Sequence, residues 1–198
     1  MPTHRLFRQV AILSFGIGFV VASALPARGQ SDADDAARLI GALAIAPGQS
    51  VAEIGAGSGA LTVAIARQVG PGGRVYSNEL SGRQREAIGR AAARAALANV
   101  TVVEGHRERP NLPDGCCDAI FMRDVFHHFD DRAAMSRALR AALKPGGQLA
   151  VLDFPPRRSH GVTADDVRTT LEGAGFEQVR VEESGARWFL VVGVAPGR

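Results

Sequence analysis

Lysine is almost absent from this sequence of 198 residues: Lys144 is the only one, and arginine supplies the rest of the positive charge. The basic residues are scattered among 20 acidic residues, and the formal net charge is only +3. Two of these charges, Arg5 and Arg8, lie in the first 24 residues, which contain no acid, so the remainder carries +1. A nucleic-acid-binding protein would show a basic patch or stripe. We therefore predict no nucleic-acid partner.

Cysteine is equally scarce, and the two that are present, Cys116 and Cys117, are adjacent. A zinc site needs more ligands at regular spacing, and the nearby histidines do not supply them, so we predict no metal site. Two free thiols in a turn before a strand are the simplest interpretation. In an oxidising compartment the pair could instead close a vicinal disulfide.

The apolar run near the N-terminus is too short for a comfortable transmembrane helix, which needs about 20 residues. The positive leader "MPTHRLFRQ" precedes 16 uncharged residues, "VAILSFGIGFVVASAL", in which Ala22-Ser23-Ala24 matches a signal peptidase site. We expect residues 1–29 to be an export signal and the mature protein to be periplasmic. An uncleaved anchor in the inner membrane is the alternative. No cysteine follows the run, which excludes a lipoprotein anchor.

Residues 30–198 contain no internal repeat and no low-complexity linker, and we expect them to form one domain. Strand-like and helix-like segments alternate with short connections, which is typical of a mostly parallel sheet covered by helices. A helix is expected to start near the capping residue Ser31. The predicted strands are Ser50–Ile54, Arg74–Glu79, Thr101–Glu104, Asp118–Met122 and Gln148–Phe154. The predicted helices are Gly59–Gln68, Gly82–Ala98, Arg132–Leu143, closed by "KPGG", and Ala164–Ala174.

The C-terminal segment has a different pattern, because two strand-like runs, "FEQVRVEES" and "RWFLVVGVA", are separated only by a turn around Gly185. So short a connection forces the two strands to be antiparallel. The predicted fold is a doubly wound α/β domain whose seven-stranded, mostly parallel sheet ends in a C-terminal hairpin.

The stretch "VAEIGAGSGALTVAIA", Val51–Ala66, predicts a ligand site between the first strand and its helix. Gly55, Gly57 and Gly59 have no Cβ, so the chain can turn sharply and a ligand can lie against the backbone. Folds of this type bind ligands at the carboxyl edge of the sheet. The loose dinucleotide fingerprint also fits "GAGSGA", with Ala60 in its last position, so a nicotinamide-dependent oxidoreductase is an alternative.

Three motifs in the same order resemble those of the class I S-adenosylmethionine-dependent methyltransferases. "VAEIGAGSG" is similar to the family's first motif, "VYSNE" to its second-strand acid and "LKPGGQLAVLDF" to its fifth-strand motif. The likeness covers the chain from about residue 36 to the end. It implies the Rossmann-like methyltransferase fold, S-adenosyl-L-methionine as cofactor and methyl transfer as the activity.

The resemblance also implies roles for individual residues. The turn from Gly55 to Gly59, with Ala56 and Gly57, would wrap the methionine portion of the cofactor, and Glu53 would hold its amino end. Glu79 would accept hydrogen bonds from both ribose hydroxyls, and Leu80 would pack on the adenine.

One position departs from the family pattern. An acid usually follows the third strand and receives the adenine amino group, whereas this chain has Gly105-His106-Arg107. A neutral ring nitrogen of His106 could still accept that hydrogen bond, and we assign Gly105 and His106 to the cofactor site. The replacement is expected to weaken adenine recognition.

Candidate catalytic residues come from "RDVFHHF", after the fourth strand. We assign Arg123 to the cofactor and Asp124, His127 and His128 to catalysis, because a general base is needed where the acceptor must lose a proton early. Asp124 could equally cap a helix, and one histidine could brace the following helix. The two phenylalanines of this segment read as core or pocket-wall residues.

The acceptor is thinly encoded, because no cap domain is inserted and only a short loop, "PPRRSHG", follows the fifth strand. Arg157 and Arg158 in this loop could clamp an anion. We expect a small-molecule acceptor, and the sequence leaves the oligomeric state open. Export also conflicts with a methyl donor made in the cytoplasm, so an exported, non-catalytic binding module is a further alternative.

Overall fold

The computed structural model describes residues 28–157, 160–183 and 187–197. The predicted leader up to residue 27, Arg158 and the turn at Gly185 lie outside these ranges. Within the described part, no helix is both long enough and apolar enough to span a membrane.

The domain is built on one seven-stranded sheet with the order β3-β2-β1-β4-β5-β7-β6. The pairs among the first five strands are parallel, and β7 lies antiparallel between β5 and β6. The predicted fold class and C-terminal hairpin are confirmed. The strands are β1 Ser50–Ile54, β2 Arg74–Glu79, β3 Val100–Glu104, β4 Cys117–Arg123, β5 Leu143–Asp153, β6 Glu177–Glu183 and β7 Phe189–Val194.

Five helices flank the sheet, and a 3₁₀ turn, Phe126–His128, follows β4. The order of the strands reverses at the sheet centre, because β2 and β3 follow on one side of β1 whereas β5 follows on the other side, beyond β4. A crevice opens at the carboxyl ends of β1 and β4, where this reversal occurs. The helices are α1 Arg28–Ala42, α2 Ala60–Val69, α3 Gly82–Arg94, α4 Arg132–Ala142 and α5 Ala164–Gly173.

The sheet separates two apolar layers, and alternate residues of the central strand β4 point into each of them. Phe121 packs in the layer with α1 and α2, whereas Met122 packs in the layer with α4 and α5. Both side chains are completely buried. Burial of one such side chain contributes about 1.5–3 kcal/mol, so these two layers hold the strand ends at the crevice in fixed positions.

The edge of the sheet opposite the crevice is closed by polar contacts of Asp118. Its carboxylate accepts a hydrogen bond from the backbone N–H of Ser50 at 2.8 Å, which joins the start of β1 to β4. The only lysine, Lys144, donates to both carboxylate oxygens at 2.8 Å.

Three element boundaries differ from the predictions by three residues or more. The helix α1 already includes Arg28, so Ser31 lies inside it and does not cap it. The helix α3 ends at Arg94 because Ala96 adopts a left-handed φ of 54° and Leu97 N–H donates back to the carbonyl of Ala92, closing the helix as a Schellman motif.

The strand β5 begins five residues before the predicted position, at Leu143, and therefore includes "KPGG". Leu143 pairs with Cys117, and a register shift between Cys117 and Ala119 absorbs the irregular segment. The proline and the glycines follow the end of α4, as predicted. They lie in the irregular first part of β5.

The two cysteines form a disulfide between Cys116 and Cys117, so the interpretation as free thiols is wrong. Cys117 is completely buried at the start of β4, whereas Cys116 precedes the strand and follows Gly115, whose φ is +61°. Cys117 therefore has the extended backbone of a strand, whereas Cys116 is free of the sheet pattern and can turn towards it.

Because this disulfide uses both cysteines of the sequence, the oxidised protein should contain no free thiol. Alkylation with iodoacetamide under denaturing conditions should add no mass before reduction and two adducts after it. Detection of two reactive thiols without reductant in protein purified from an oxidising compartment would contradict the disulfide.

Candidate functional site

The glycine turn between β1 and α2 contains three residues with positive φ: Gly55 at 70°, Gly57 at 56° and Gly59 at 86°. A Cβ on Gly55 would overlap the side chain of Val125, and one on Gly59 would lie 3.2 Å from the Cα of Ile88. A Cβ on Gly57 would meet no atom within 4 Å. Two of the glycines are therefore required by packing, and Gly57 presents bare backbone to open space.

The carboxylate of Glu79 holds this turn from the end of the neighbouring strand. One oxygen accepts the backbone N–H of Gly57 at 2.9 Å, and the other accepts the N–H groups of Leu80 and Ser81 at 2.8 and 3.2 Å. The carbonyl of Asn78 accepts the N–H groups of Gly55 and Ala56 as well. The end of β2 therefore fixes the shape of the turn.

A first cavity of about 310 Å³ opens beside Glu79. Its walls are mostly apolar, with a carboxylate at one side and histidines and an arginine at the rim. The lining residues are Ile54, Gly55, Asn78, Glu79, Leu80, His106, Arg107, Pro110, Val125, His128, Phe129 and Met135. Size and lining suit a flat heterocycle joined to a sugar.

A second cavity, of about 530 Å³, lies on the other side of Gly55, which lines both. Charged and small residues surround it: Asp32, Glu53, Gly55, Ala56, Gly57, Ser58, Ala60, Gln84 and Arg123. The two cavities together can hold an elongated molecule with an apolar head and a charged tail.

Glu53 forms the floor of the second cavity and is 3% exposed. Burial raises the pKa of its carboxyl to about 8, and the hydroxyl of Thr62, which donates a hydrogen bond to it, only partly opposes this. Among the described residues Glu53 has no ion-pair partner within 4 Å. A cationic ligand group in this cavity would supply one.

Arg123, at the end of β4, is held by two carboxylates of α1. It pairs with Asp32 and, at 3.0 Å, with Asp35. Asp35 also pairs with Arg38, whose guanidinium lies 3.8 Å above the ring of Trp188. This network fastens α1 beside the second cavity. Asp32 and Asp35 were not predicted as site residues.

The segment after β4 brings two of the three predicted catalytic residues close together. The Nδ1 of His127 lies 2.9 Å from Asp153, at the end of β5, and its ring lies 3.9 Å from that of His128. Asp153 was not predicted as a site residue, although its position at the carboxyl end of a central strand is a usable signal. His128 lines the first cavity, whereas His127 lies behind it.

Asp124 does not cap a helix, contrary to one of the two interpretations; Asp131 accepts the N–H of Ala134 and caps α4. Asp124 instead has a left-handed φ of 57°, which is uncommon for a residue with a side chain. Partial desolvation, and then the charge of Asp153, raise the pKa of its carboxyl. Strain of this type is often found at functional sites.

The predicted adenine-binding pair is divided by the structure. His106 lines the first cavity beside Arg107, whereas Gly105 packs against the side chain of Asn78 and lines neither of the two cavities. Gly59 also lines neither and serves as the N-terminal cap of α2. Both glycines therefore support the site through packing.

A mostly parallel sheet with a bare glycine turn, an adjacent strand-end carboxylate and two cavities that share Gly55 is typical of a nucleoside-binding α/β protein. Residues 52–151, half of the chain, match the family model described as methyltransferase domain. The chain belongs to this family, which confirms the predicted class I S-adenosylmethionine-dependent methyltransferase resemblance.

Relatives and solved structures agree with this assignment. The ubiquinone/menaquinone biosynthesis C-methyltransferase of Vibrio cholerae is 32% identical over 110 residues, covering 54% of this chain and 42% of that protein. The match therefore spans less than half the length of this curated relative.

Among solved structures, a methyltransferase from Aquifex aeolicus described as S-adenosylmethionine-dependent has a TM-score of 0.72, with 23% identity over 86% of this chain and 100% of that one. Phosphoethanolamine N-methyltransferase 2 of Haemonchus contortus, in complex with S-adenosylhomocysteine, has a TM-score of 0.71, with 15% identity over 82% of this chain and 52% of that one. These neighbours confirm the fold, and with the family they support S-adenosylmethionine as the cofactor.

Glu53 provides a test of the site's electrostatics. Its pKa is higher in the folded protein, about 8, than in the unfolded chain, about 4.5. Its contribution to stability is therefore fully present below pH 4.5 and is lost as the pH rises to 8, by on the order of 1.4 kcal/mol per unit of pKa shift. Glu53→Gln removes this loss, so the variant should be more stable than the parent at pH 8 by a few kcal/mol beyond any difference at pH 4.5.

Urea unfolding of both proteins across this pH range measures the effect. Glu86→Gln, which replaces an exposed carboxylate on α3, is the matched control and should follow the parent protein. Parallel pH profiles for the parent and Glu53→Gln would contradict the raised pKa.

Proposed function

We propose that this protein transfers a methyl group from S-adenosyl-L-methionine to a small-molecule acceptor. The observation that carries the proposal is the open backbone of Gly57, held in place by the carboxylate of Glu79. Gly57 lines the second cavity with bare backbone, so a ligand there can lie directly against the chain.

The residues present fit this cofactor. Glu79 has free lone pairs for two ribose hydroxyls beside its bonds to the backbone, and Leu80, which is 51% exposed, offers an apolar face for the adenine. His106 lies at the rim of the same cavity. In the second cavity, Glu53 would pair with the ammonium group, while Arg123 and the backbone of Ala56 border the methionine chain.

When bound, the cofactor supplies a methyl carbon already activated by a sulfonium group. The protein then has mainly to align the acceptor with this carbon and exclude water. Gly55 lies between the two cavities, so the sulfonium would be near it, and Val125 packs directly against that residue. The segment Asp124–Phe129 therefore forms the wall from which the acceptor would approach.

The acceptor is proposed to be small. In the described part of the chain no further helix or strand is inserted beside the first cavity, whose walls on the acceptor side are Val125, His128 and Phe129. The Vibrio cholerae relative is named for C-methylation in quinone biosynthesis, and its similarity favours an aromatic ring as the acceptor. Arg157, in the exposed loop after β5, lies over the ring of Phe154 and donates a hydrogen bond to the carbonyl of Arg187.

Calorimetric titration with S-adenosylhomocysteine tests the cofactor site. The protein should bind it, and Glu79→Ala should weaken binding at least tenfold, because it removes the acceptor for the ribose and the support of the turn. Gly57→Ala should also weaken binding, since its Cβ would occupy the space where the ligand lies.

The matched control is Gly146→Ala. Gly146 also has a positive φ, 77°, and open space at its Cβ, but it lies at the opposite edge of the sheet. It should carry similar backbone strain and leave affinity unchanged. Binding of NAD and not of S-adenosylhomocysteine would instead support the oxidoreductase, and binding without methyl transfer to any acceptor would support the binding module.

We also propose that the protein is exported. The charged leader and the apolar run that ends in Ala-Ser-Ala support this location, and the disulfide is of the kind that persists in oxidising compartments. Export places the protein away from the cytoplasmic methyl donor, so a periplasmic enzyme would depend on donor that crosses the membrane. An uncleaved inner-membrane anchor remains the alternative.

Cell fractionation combined with N-terminal sequencing tests this location. We expect a mature form that starts between Leu25 and Gln30 and is recovered outside the cytoplasm. A full-length protein recovered in the cytoplasm would contradict export, and a full-length protein in the membrane fraction would support the anchor.

A further inference from the structure

Asp153 is a buried carboxylate that contacts the segment after β4, where the methyl acceptor would approach. It ends β5, is 1% exposed and accepts the backbone N–H groups of Phe154 and His127 at 2.9 and 3.3 Å. Among the described residues, its other hydrogen-bond partner is the ring of His127. A buried carboxylate is costly unless it is paired, so this histidine is part of the arrangement that keeps Asp153 in place.

The ring of His127 is fixed on three sides. Its Nδ1 lies 2.9 and 3.1 Å from the two oxygens of Asp153, and its side chain is only 6% exposed. The ring of Phe154 lies 4.9 Å away and that of His128 lies 3.9 Å away. A carboxylate on Nδ1 sets the tautomer and the orientation of an imidazole.

His128 rests on this fixed ring and faces the first cavity. Within the described part of the chain, its side chain forms no hydrogen bond. Partial desolvation and the neighbouring His127 lower its pKa, Asp153 opposes this, and His160 adds to it. The charged or titratable groups that line the same cavity are Glu79, His106 and Arg107.

We propose that His128 is the general base that takes a proton from the methyl acceptor, and that Asp153 is a positioning residue acting through His127. The inference rests on the proposed methyl transfer and adds a substrate class: acceptors that must lose a proton, namely aromatic alcohols and their activated ring carbons. Nitrogen acceptors without an N–H have a free lone pair and need no base.

The acceptor's O–H or C–H bond breaks, and its proton goes to a ring nitrogen of His128. An electron pair of the acceptor forms the new bond to the methyl carbon, and the pair of the broken C–S bond stays on sulfur. The neutral form of His128 is required, and its lowered pKa keeps that form dominant at pH 7.

Two probes of similar size separate the two substrate classes: 1-naphthol, which must lose a proton, and isoquinoline, which need not. With S-adenosylmethionine, the protein should methylate 1-naphthol, as detected by mass spectrometry, and any methylation of isoquinoline should not depend on His128. His128→Ala should lower the rate with 1-naphthol by about 10²-fold while affinity for S-adenosylhomocysteine is retained. Glu86→Gln, on the exposed face of α3, provides the control and should keep the rate with 1-naphthol.

The positioning role of Asp153 has its own readout, the pH profile. The kcat/KM for 1-naphthol should rise through a limb below pH 6.5, where His128 loses its proton. Asp153→Asn should lower the plateau at least tenfold and move the limb to lower pH, because the carboxylate charge raises the pKa of His128. His127→Gln, which removes the imidazole between Asp153 and His128, should lower the plateau likewise.

The outcomes distinguish this inference from the proposed function. Failure to bind S-adenosylhomocysteine would overturn the proposed function itself. Normal binding with no product from 1-naphthol, or with an unchanged 1-naphthol rate in His128→Ala, would overturn the base and its substrate class. An unchanged plateau and pH profile in Asp153→Asn would overturn only the positioning role.

Discussion

The site depends on one hydrogen bond, from the backbone N–H of Gly57 to the carboxylate of Glu79. It joins the turn after β1 to the end of β2, and both strands are held in register by parallel pairing, from Ser50 with Arg74 to Ile54 with Asn78. Three of the five residues from Gly55 to Gly59 are glycines, so side chains of the turn contribute little to holding its shape. The neighbouring carboxylate, together with the carbonyl of Asn78, therefore provides the order that a ligand would otherwise have to impose.

Around this centre, charge is distributed according to burial. Glu53 lies deep and has no ion-pair partner among the described residues, so its neutral form is favoured, whereas Asp32 and Asp35 of α1 both pair with Arg123. The second cavity therefore has a floor that can become negative and a rim that is already compensated. Such a site responds most strongly to a cation that reaches the floor.

Local sequence was sufficient to predict the parts of the site that depend on neighbours along the chain. The bounds of β1 and β2 were predicted correctly, as was the glycine turn, because strand pattern and backbone freedom are local properties. Contacts across long separations were not predicted: Arg123 meets Asp32 across 91 residues, and His127 meets Asp153 across 26. Single-residue patterns also could not show that Asp131, and not Asp124, would cap α4.

The disulfide between neighbouring cysteines bears on the redox conditions under which this protein can fold. A cross-link stabilises a chain chiefly by shortening the loops of the unfolded state, and this one encloses no intervening residue. Its loss would leave the conformational freedom of the denatured chain almost unaltered, and the two apolar layers would still drive folding. The fold therefore depends little on whether these two cysteines are oxidised.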